Sequence, residues 1–297
     1  MLDRASTFAD RGIIELLKSR FIPVAIDQAY QRRQQDAEGE FYRRIAGQGP
    51  RNDFQSTTQG LYTAAPDGQF LGYTNNRGAA RVRQMLAEAL NRYQPSEVAS
   101  LQRGSPDARY NPTPPEGGLV VRVQTKVIDG YQRTNRKWQR IFQQSISRDN
   151  LWITKQEHRS LVRGEFPRSL QRRIARFHLV DNTRGEPPMW SSNDLREVDF
   201  KLDQNRFTGR AKLSTESGNR KFDVRLSGSL DITGEKVTRF ELVAHGDFEG
   251  EGRYTRGAPK GAFPLAIFFS LADGTDIADS VPPQGSRGWV EGYLNTD

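Results

Sequence analysis

The sequence of 297 residues contains no cysteine, and this absence removes several kinds of chemistry at once. Without a thiol there is no disulfide, no thiolate metal ligand and no cysteine nucleophile. The absence says nothing about the compartment, because a chain without cysteine is indifferent to the local redox poise. Disulfide exchange by this chain is therefore excluded, whatever fold it adopts.

Long apolar runs are missing as well. No stretch of about 18 apolar residues occurs, which predicts that no segment spans a membrane. The first residues, MLDRASTFADRG, lack the apolar core of a secretory signal peptide. A signal peptide in an extension upstream of Met1 would place the protein in the bacterial cell envelope; otherwise we expect the cytoplasm.

The motifs of common cofactors and nucleophiles are also absent. There is no Gly-x-Ser-x-Gly elbow, no phosphate-binding loop and no dinucleotide fingerprint, so the sequence predicts no cofactor. Histidine is scarce, with three residues in the chain. One of them, His178, follows Ile174 by one turn on the apolar side of a predicted helix, which favours a structural role.

A candidate metal site lies near the C-terminal end of the chain. Alternation along a predicted strand places His245, Asp247 and Glu249 on one face. Imidazole and carboxylate groups are ligands that transition metals take in proteins, so these residues predict a metal-dependent site. The alternative interpretation is a solvated strand end, because acidic residues beside glycines are typical of loops.

The chain does have a concentration of positive charge. Its net charge is +8, from 44 Lys and Arg against 36 Asp and Glu. The segment from Arg133 to Arg176 contains twelve basic and three acidic residues, so it carries +9 and the remainder of the chain carries −1. The basicity is thus a property of one segment.

This basic segment is the strongest candidate binding site. Basic residues flank a tryptophan in it, so that positive charge and a stacking surface coincide. The predicted binding residues are Arg136, Lys137, Trp138, Arg140, Arg172 and Arg173. Nucleic acid, anionic lipid headgroups or an acidic polymer would suit such a surface. The alternative is that these arginines lie on amphipathic helices and only face water or pair with acidic residues.

Three regions of different composition follow one another along the chain. Residues 1–94 mix helix and strand patterns, residues 95–118 are rich in Pro, Ser and Gly without periodicity, and residues 119–297 are dominated by alternating strands. We expect an α/β domain, a linker, and an α+β domain with an antiparallel β-meander and one or two helices. In the last region the stretch DNTRGEPPMW (181–190) is interpreted as structural rather than as a binding loop.

The first region predicts five elements in a regular order. They are a helix ending near residue 19, a buried strand at 21–27 (FIPVAID), a surface helix at 29–45 interrupted near Gly39, a hairpin at 59–74 (QGLYTAAPDGQFLGYT) that turns at Asp67-Gly68, and a helix at 82–93.

This order resembles the thioredoxin-like fold family. It is similar to bacterial members in which a segment such as TFADRGIIELLKSRFIPVAID follows the redox helix; here Phe8-Ala9-Asp10 opens that segment and Asp27 ends its strand. The DGQFLGYTNN hairpin and the helix after it match the last three elements of the fold. The resemblance covers residues 5–93, about a third of the chain, and implies an incomplete thioredoxin-like N-terminal domain.

The sequence departs from this family at the positions of the family's redox site. The first strand and the Cys-x-x-Cys motif would precede residue 1, and Thr58-Gln59-Gly60 stands where redox-active members place a cis-proline. The leading prediction is therefore a non-catalytic two-domain protein with a binding or structural role. One alternative is nucleic-acid or polyanion binding through residues 133–176. Another is a fragment of a larger thiol oxidoreductase whose Cys-x-x-Cys lies upstream of Met1.

The missing strand also implies a partner. A strand edge without a neighbour leaves backbone groups unpaired, which favours cover by the C-terminal domain or by another protein. Together, the sequence predicts an architecture and two candidate sites, and it leaves the ligand open.

Overall fold

The computed structural model describes residues 2–95 and 104–295, and the chain forms two compact units. The N-terminal unit consists of Asp3–Pro112 with Arg287–Trp289, and the β unit of Met1–Leu2, Thr113–Ser286 and Val290–Asp297. Residues 96–103 of the predicted linker lie outside the described residues. In the described ranges, no helix is both long and apolar enough to cross a lipid bilayer.

Five helices and one hairpin are described in the first part of the chain. The helices are α1 (Leu2–Ala5), α2 (Arg11–Arg20), α3 (Gln28–Gln31), α4 (Ala37–Gly47) and α5 (Ala79–Arg92). Strands β1 (Leu61–Ala64) and β2 (Phe70–Thr74) pair antiparallel. Gly68 adopts a φ of +88° at their turn, a conformation that glycine takes without strain. The predictions of α2, the hairpin and α5 are confirmed.

Helices α2 and α5 pack together over the hairpin through one apolar cluster. Its buried members are Ile13, Val82, Met85 and Leu86. The start of α2 is fixed by Asp10, whose carboxylate accepts a hydrogen bond from the Ile13 N–H at 3.1 Å. Such an N-cap satisfies a backbone donor that has no partner within the helix.

Two predicted elements of this unit differ from the structure. Residues 21–27 form no strand, and the prediction that they are buried is wrong, because Ile22 is 91% exposed. A strand needs a neighbour for its backbone groups, and neither strand of the described hairpin pairs with this segment. The surface helix is interrupted at residues 32–36 instead of at Gly39, which lies inside α4 where a Cβ would come within 2.0 Å of the Gln34 carbonyl oxygen.

The β unit is an antiparallel half-barrel whose seven described strands have the order β4-β3-β9-β8-β7-β6-β5. The strands are β3 (Leu119–Val127), β4 (Asp149–Ile153), β5 (Leu195–Asp203), β6 (Arg206–Ser214), β7 (Lys221–Thr233), β8 (Lys236–Glu249) and β9 (Ala262–Leu271). Strands β5 to β9 are neighbours in both sequence and space, which confirms the predicted meander. Strand β9 pairs with both β3 and β8, in agreement with its nearly continuous apolar sequence.

One face of this sheet is buried and the other faces solvent. Along β7, Phe222, Val224 and Leu226 are buried while the residues between them are exposed. Four described helices accompany the sheet, more than the one or two predicted: α6 (Lys137–Gln144), α7 (Lys155–Val162), α8 (Arg168–Arg173) and α9 (Val290–Leu294). Helix α8 begins after Pro167, as predicted, and continues into a π-helical turn at Ile174–His178 that packs with it against β5.

A buried polar network surrounds the π-helical turn. The Nε2 atom of His178 lies 2.6 Å from the hydroxyl of Tyr293, and its Nδ1 lies 3.3 Å from the carboxylate of Asp149. Burial holds the pKa of Tyr293 well above its ordinary value, so this hydroxyl stays neutral. His178 is almost fully buried among these groups, as its predicted structural role requires.

Candidate functional site

Helix α6 carries four of the six residues that the sequence predicts to bind. Arg136 is the N-cap residue of α6, and Lys137, Trp138 and Arg140 lie within the helix. All four are exposed, Trp138 by 40%. None of the three basic side chains has a carboxylate within ion-pair distance in the described part of the chain. Their charge is therefore available to a ligand.

The prediction that Arg173 belongs to this surface is wrong. Its side chain is fully buried, and its guanidinium donates to the Glu157 carboxylate at 2.7 Å and to the backbone oxygen of Leu294. A buried charge needs such partners, because removal from water is costly otherwise. Arg172 is half-buried on α8, an element separate from α6. Helical spacing alone does not show that one of two adjacent arginines points inward.

A second basic segment lies in the loop between β8 and β9, residues 250–261. Its exposed basic residues are Arg253, Arg256 and Lys260, and Tyr254 between them is 62% exposed. The Arg253 guanidinium carbon lies 5.4 Å from the centre of the Tyr254 ring. The sequence does not predict this loop as a binding site, because it lies outside the one segment with a large charge excess. The available signal was three basic residues and one tyrosine within the eight residues RYTRGAPK (253–260).

Phe142 of α6 and Gly257 of the loop bring the two segments together. A Cβ at Gly257 would lie 2.8 Å from the Phe142 ring, and Gly257 has a φ of +92°. Both the close approach and the backbone conformation favour glycine there. We call the surface formed by residues 133–140 and 250–261 the basic surface. Its basic residues are Arg133, Arg136, Lys137, Arg140, Arg253, Arg256 and Lys260.

The acidic residue within these two ranges, Glu251, is engaged with the backbone. Its Oε2 accepts hydrogen bonds from the N–H groups of Gly257 at 2.8 Å and Ala258 at 3.2 Å. The carboxylate thus shapes the loop that carries the arginines. As in the α6 segment, no described carboxylate forms an ion pair with the basic side chains of this loop.

A buried arginine holds both halves of the basic surface. Arg184 donates from Nη1 to the hydroxyl of Tyr131 at 2.8 Å, just before the α6 segment, and from Nε to the backbone oxygen of Thr255 at 2.9 Å, within the loop. Asp181 accepts from Nη2 at 2.5 Å and neutralises the charge. Burial raises the pKa of Tyr131 above its ordinary value, so its hydroxyl is neutral. The rigid fork of donors therefore fixes two segments distant in sequence.

The residue after Arg184 supports the same loop. A Cβ at Gly185 would come within 2.2 Å of the backbone oxygen of Tyr254, so this close approach requires glycine. The sequence predicts a structural role for the stretch DNTRGEPPMW. These contacts agree with that prediction, since the stretch positions the β8–β9 loop.

The predicted metal residues lie on β8. His245 and Asp247 are exposed and Glu249 is partly exposed on the same face of the strand. Alternate residues on a strand stand about 6.5–7 Å apart, too far for three of them to converge on one ion. Among the described residues, no group of three or more His, Asp and Glu side chains is placed to hold a metal. Metal binding here stays a prediction without structural support.

Comparison with known proteins does not assign the chain to a family. No family model matches the chain, and neither a similar curated protein nor a similar solved structure was found. The thioredoxin-like resemblance stays a prediction, and the interpretation of the basic surface rests on its geometry.

Proposed function

We propose that this chain is a non-catalytic binding protein that recognises an anionic polymer, such as nucleic acid, through the basic surface of the β unit. The observation that carries the proposal is the group of seven exposed basic side chains that form no ion pair within the described residues. Trp138 and Tyr254 add two exposed rings to this surface. A polymer with repeated negative charges suits it, because many weak contacts add up along one chain.

For the N-terminal unit we propose the redox-inactive thioredoxin-like scaffold that the resemblance implies. The order of α2, the hairpin and α5 supports it. A fragment of a thiol oxidoreductase is the alternative, and the genomic sequence upstream of Met1 distinguishes the two. An in-frame strand followed by Cys-x-x-Cys would favour the oxidoreductase.

Heparin chromatography of three matched triple variants tests the proposed polyanion site. One variant replaces Arg136, Lys137 and Arg140 with Ala, and the second replaces Arg253, Arg256 and Lys260. The control replaces Lys201, Arg206 and Lys236, which are exposed at the opposite ends of the strands from the β8–β9 loop. All three lose the same net charge.

We expect both surface variants to elute at clearly lower salt than the wild type, and the control to elute close to the wild type. The two surface variants should be similarly weakened, because α6 and the loop form one surface. Equal elution of all three variants would show that only net charge matters and would contradict the proposed site.

A further inference from the structure

Residues 21–27 are an apolar segment outside the described helices and strands, and most of its backbone groups make no hydrogen bond. Ile22, Val24 and Ile26 are 91%, 76% and 42% exposed. The segment starts and ends with extended backbone, at φ −133° and ψ 161° for Phe21 and φ −86° and ψ 102° for Asp27. Within the described chain, the N–H and C=O groups of residues 22–26 make no hydrogen bond. These are the properties of an open strand edge, which templates pairing with another strand.

The two edges of this segment are not equivalent. In an extended chain the N–H and C=O groups of alternate residues point to opposite edges. On one edge the amide of Phe21 already donates to the Leu17 oxygen at 3.2 Å, and Pro23 has no N–H to offer. The other edge has three complete pairs of donor and acceptor. We call it the pairing edge, formed by Ile22, Val24 and Ile26.

We propose that the pairing edge binds the same edge of a second copy of this chain, as two antiparallel strands related by a two-fold axis through Val24. In this register Val24 faces Val24, and Ile22 faces Ile26 of the second copy. All three N–H and all three C=O groups of each edge then find a partner. The apolar side chains meet on one face of the new two-stranded sheet, where cross-strand pairs of this kind stabilise pairing.

A second copy is the occupant that the segment itself favours. Its apolar residues match each other under a two-fold axis, which is the symmetry of most homodimers. The segment is preceded by Arg20 and ends with Asp27, so antiparallel pairing brings ends of opposite charge together. A seven-residue segment buries less than the roughly 800 Å² per partner of a stable complex, so we expect a weak, concentration-dependent dimer.

Two proline variants of the full chain test which edge pairs. Val24→Pro removes an N–H from the pairing edge, whereas Ala25→Pro removes one from the opposite edge. Neither residue lies in a described helix or strand and neither N–H donates a hydrogen bond, so proline at either position removes no bond of the folded chain. Sedimentation equilibrium of the wild type over a concentration series should show the average mass rising towards twice that of the monomer. We expect Ala25→Pro to associate like the wild type and Val24→Pro to associate at least tenfold more weakly, with unchanged circular dichroism in both.

A peptide with the sequence of residues 20–28 provides an independent readout. We expect it to lower the average mass of the wild type by competing for the pairing edge, and a peptide with an N-methyl group on Val24 to have no effect. A wild type that stays monomeric at all concentrations, equal loss of association in both proline variants, or equal competition by a scrambled peptide would each overturn the second copy as the occupant.

Discussion

The position of one guanidinium decides whether two basic segments act as one surface. Arg184 contacts Tyr131 and Thr255, which are far apart in sequence, and it is almost fully buried with Asp181. Nothing in its sequence context distinguishes it from the exposed arginines. Its role follows from burial, because a buried guanidinium must satisfy its donors with groups of the protein.

Arg184→Met should therefore destabilise the β unit strongly. Removal of one partner leaves Asp181 as an uncompensated buried charge, and this costs about 3–5 kcal/mol. Urea unfolding followed by circular dichroism measures the decrease in stability. Arg163→Met is the control, because Arg163 pairs with Glu165 at the surface, 57% exposed. We expect the control to unfold like the wild type; equal destabilisation in both variants would contradict the role of Arg184.

At the scale of elements, the site depends on the contact between α6 and the β8–β9 loop. Gly257 contacts the Phe142 ring there, with a φ of +92°. Gly261 in the same loop has a φ of +70° but no neighbouring atom within 4 Å of a Cβ. Substitution at Gly261 therefore introduces backbone strain alone, whereas substitution at Gly257 also disturbs the packing between loop and helix.

Gly257→Ala should weaken polyanion binding more than Gly261→Ala does. Both substitutions place alanine in the left-handed region, at a cost of about 1 kcal/mol, but only the first pushes the loop away from α6. We expect lower salt at elution from heparin for Gly257→Ala and near wild-type elution for Gly261→Ala. The same elution for both would show that the contact between Gly257 and Phe142 does not hold the basic surface together.

The sequence predicts elements that have a strong local period. It does not predict structure that depends on a contact with a segment distant in sequence. The stripe of α5 and the alternation of β7 are local, and both elements are predicted correctly. Whether residues 21–27 become a strand depends on a second strand, which no local pattern reveals. The α6 half of the basic surface is predicted from its Arg, Lys and Trp. The loop half is not, because it lies outside the segment with the charge excess and its contact with α6, between Phe142 and Gly257, is long-range.

For the whole molecule, the charge distribution is more informative than the total. Three of the twelve basic residues in the predicted segment form ion pairs within the chain: Arg148 pairs with Asp279, Arg163 with Glu165 and Arg173 with Glu157. The charge of the basic surface gathers at one end of the half-barrel. This concentration, and not the net charge of +8, is what predicts a directional binding surface.

Salt dependence of binding to a fluorescein-labelled single-stranded oligonucleotide tests this claim most directly. The wild type, the variant that replaces Arg136, Lys137 and Arg140, and the opposite-end control, which loses the same net charge, would be compared by fluorescence anisotropy. We predict that the slope of log affinity against log salt becomes shallower by about 0.7 for each phosphate that the surface variant no longer neutralises. Its affinity should also be much lower, while the control keeps nearly the wild-type slope. The same affinity and slope for all three proteins would show that the basic surface does not bind the oligonucleotide.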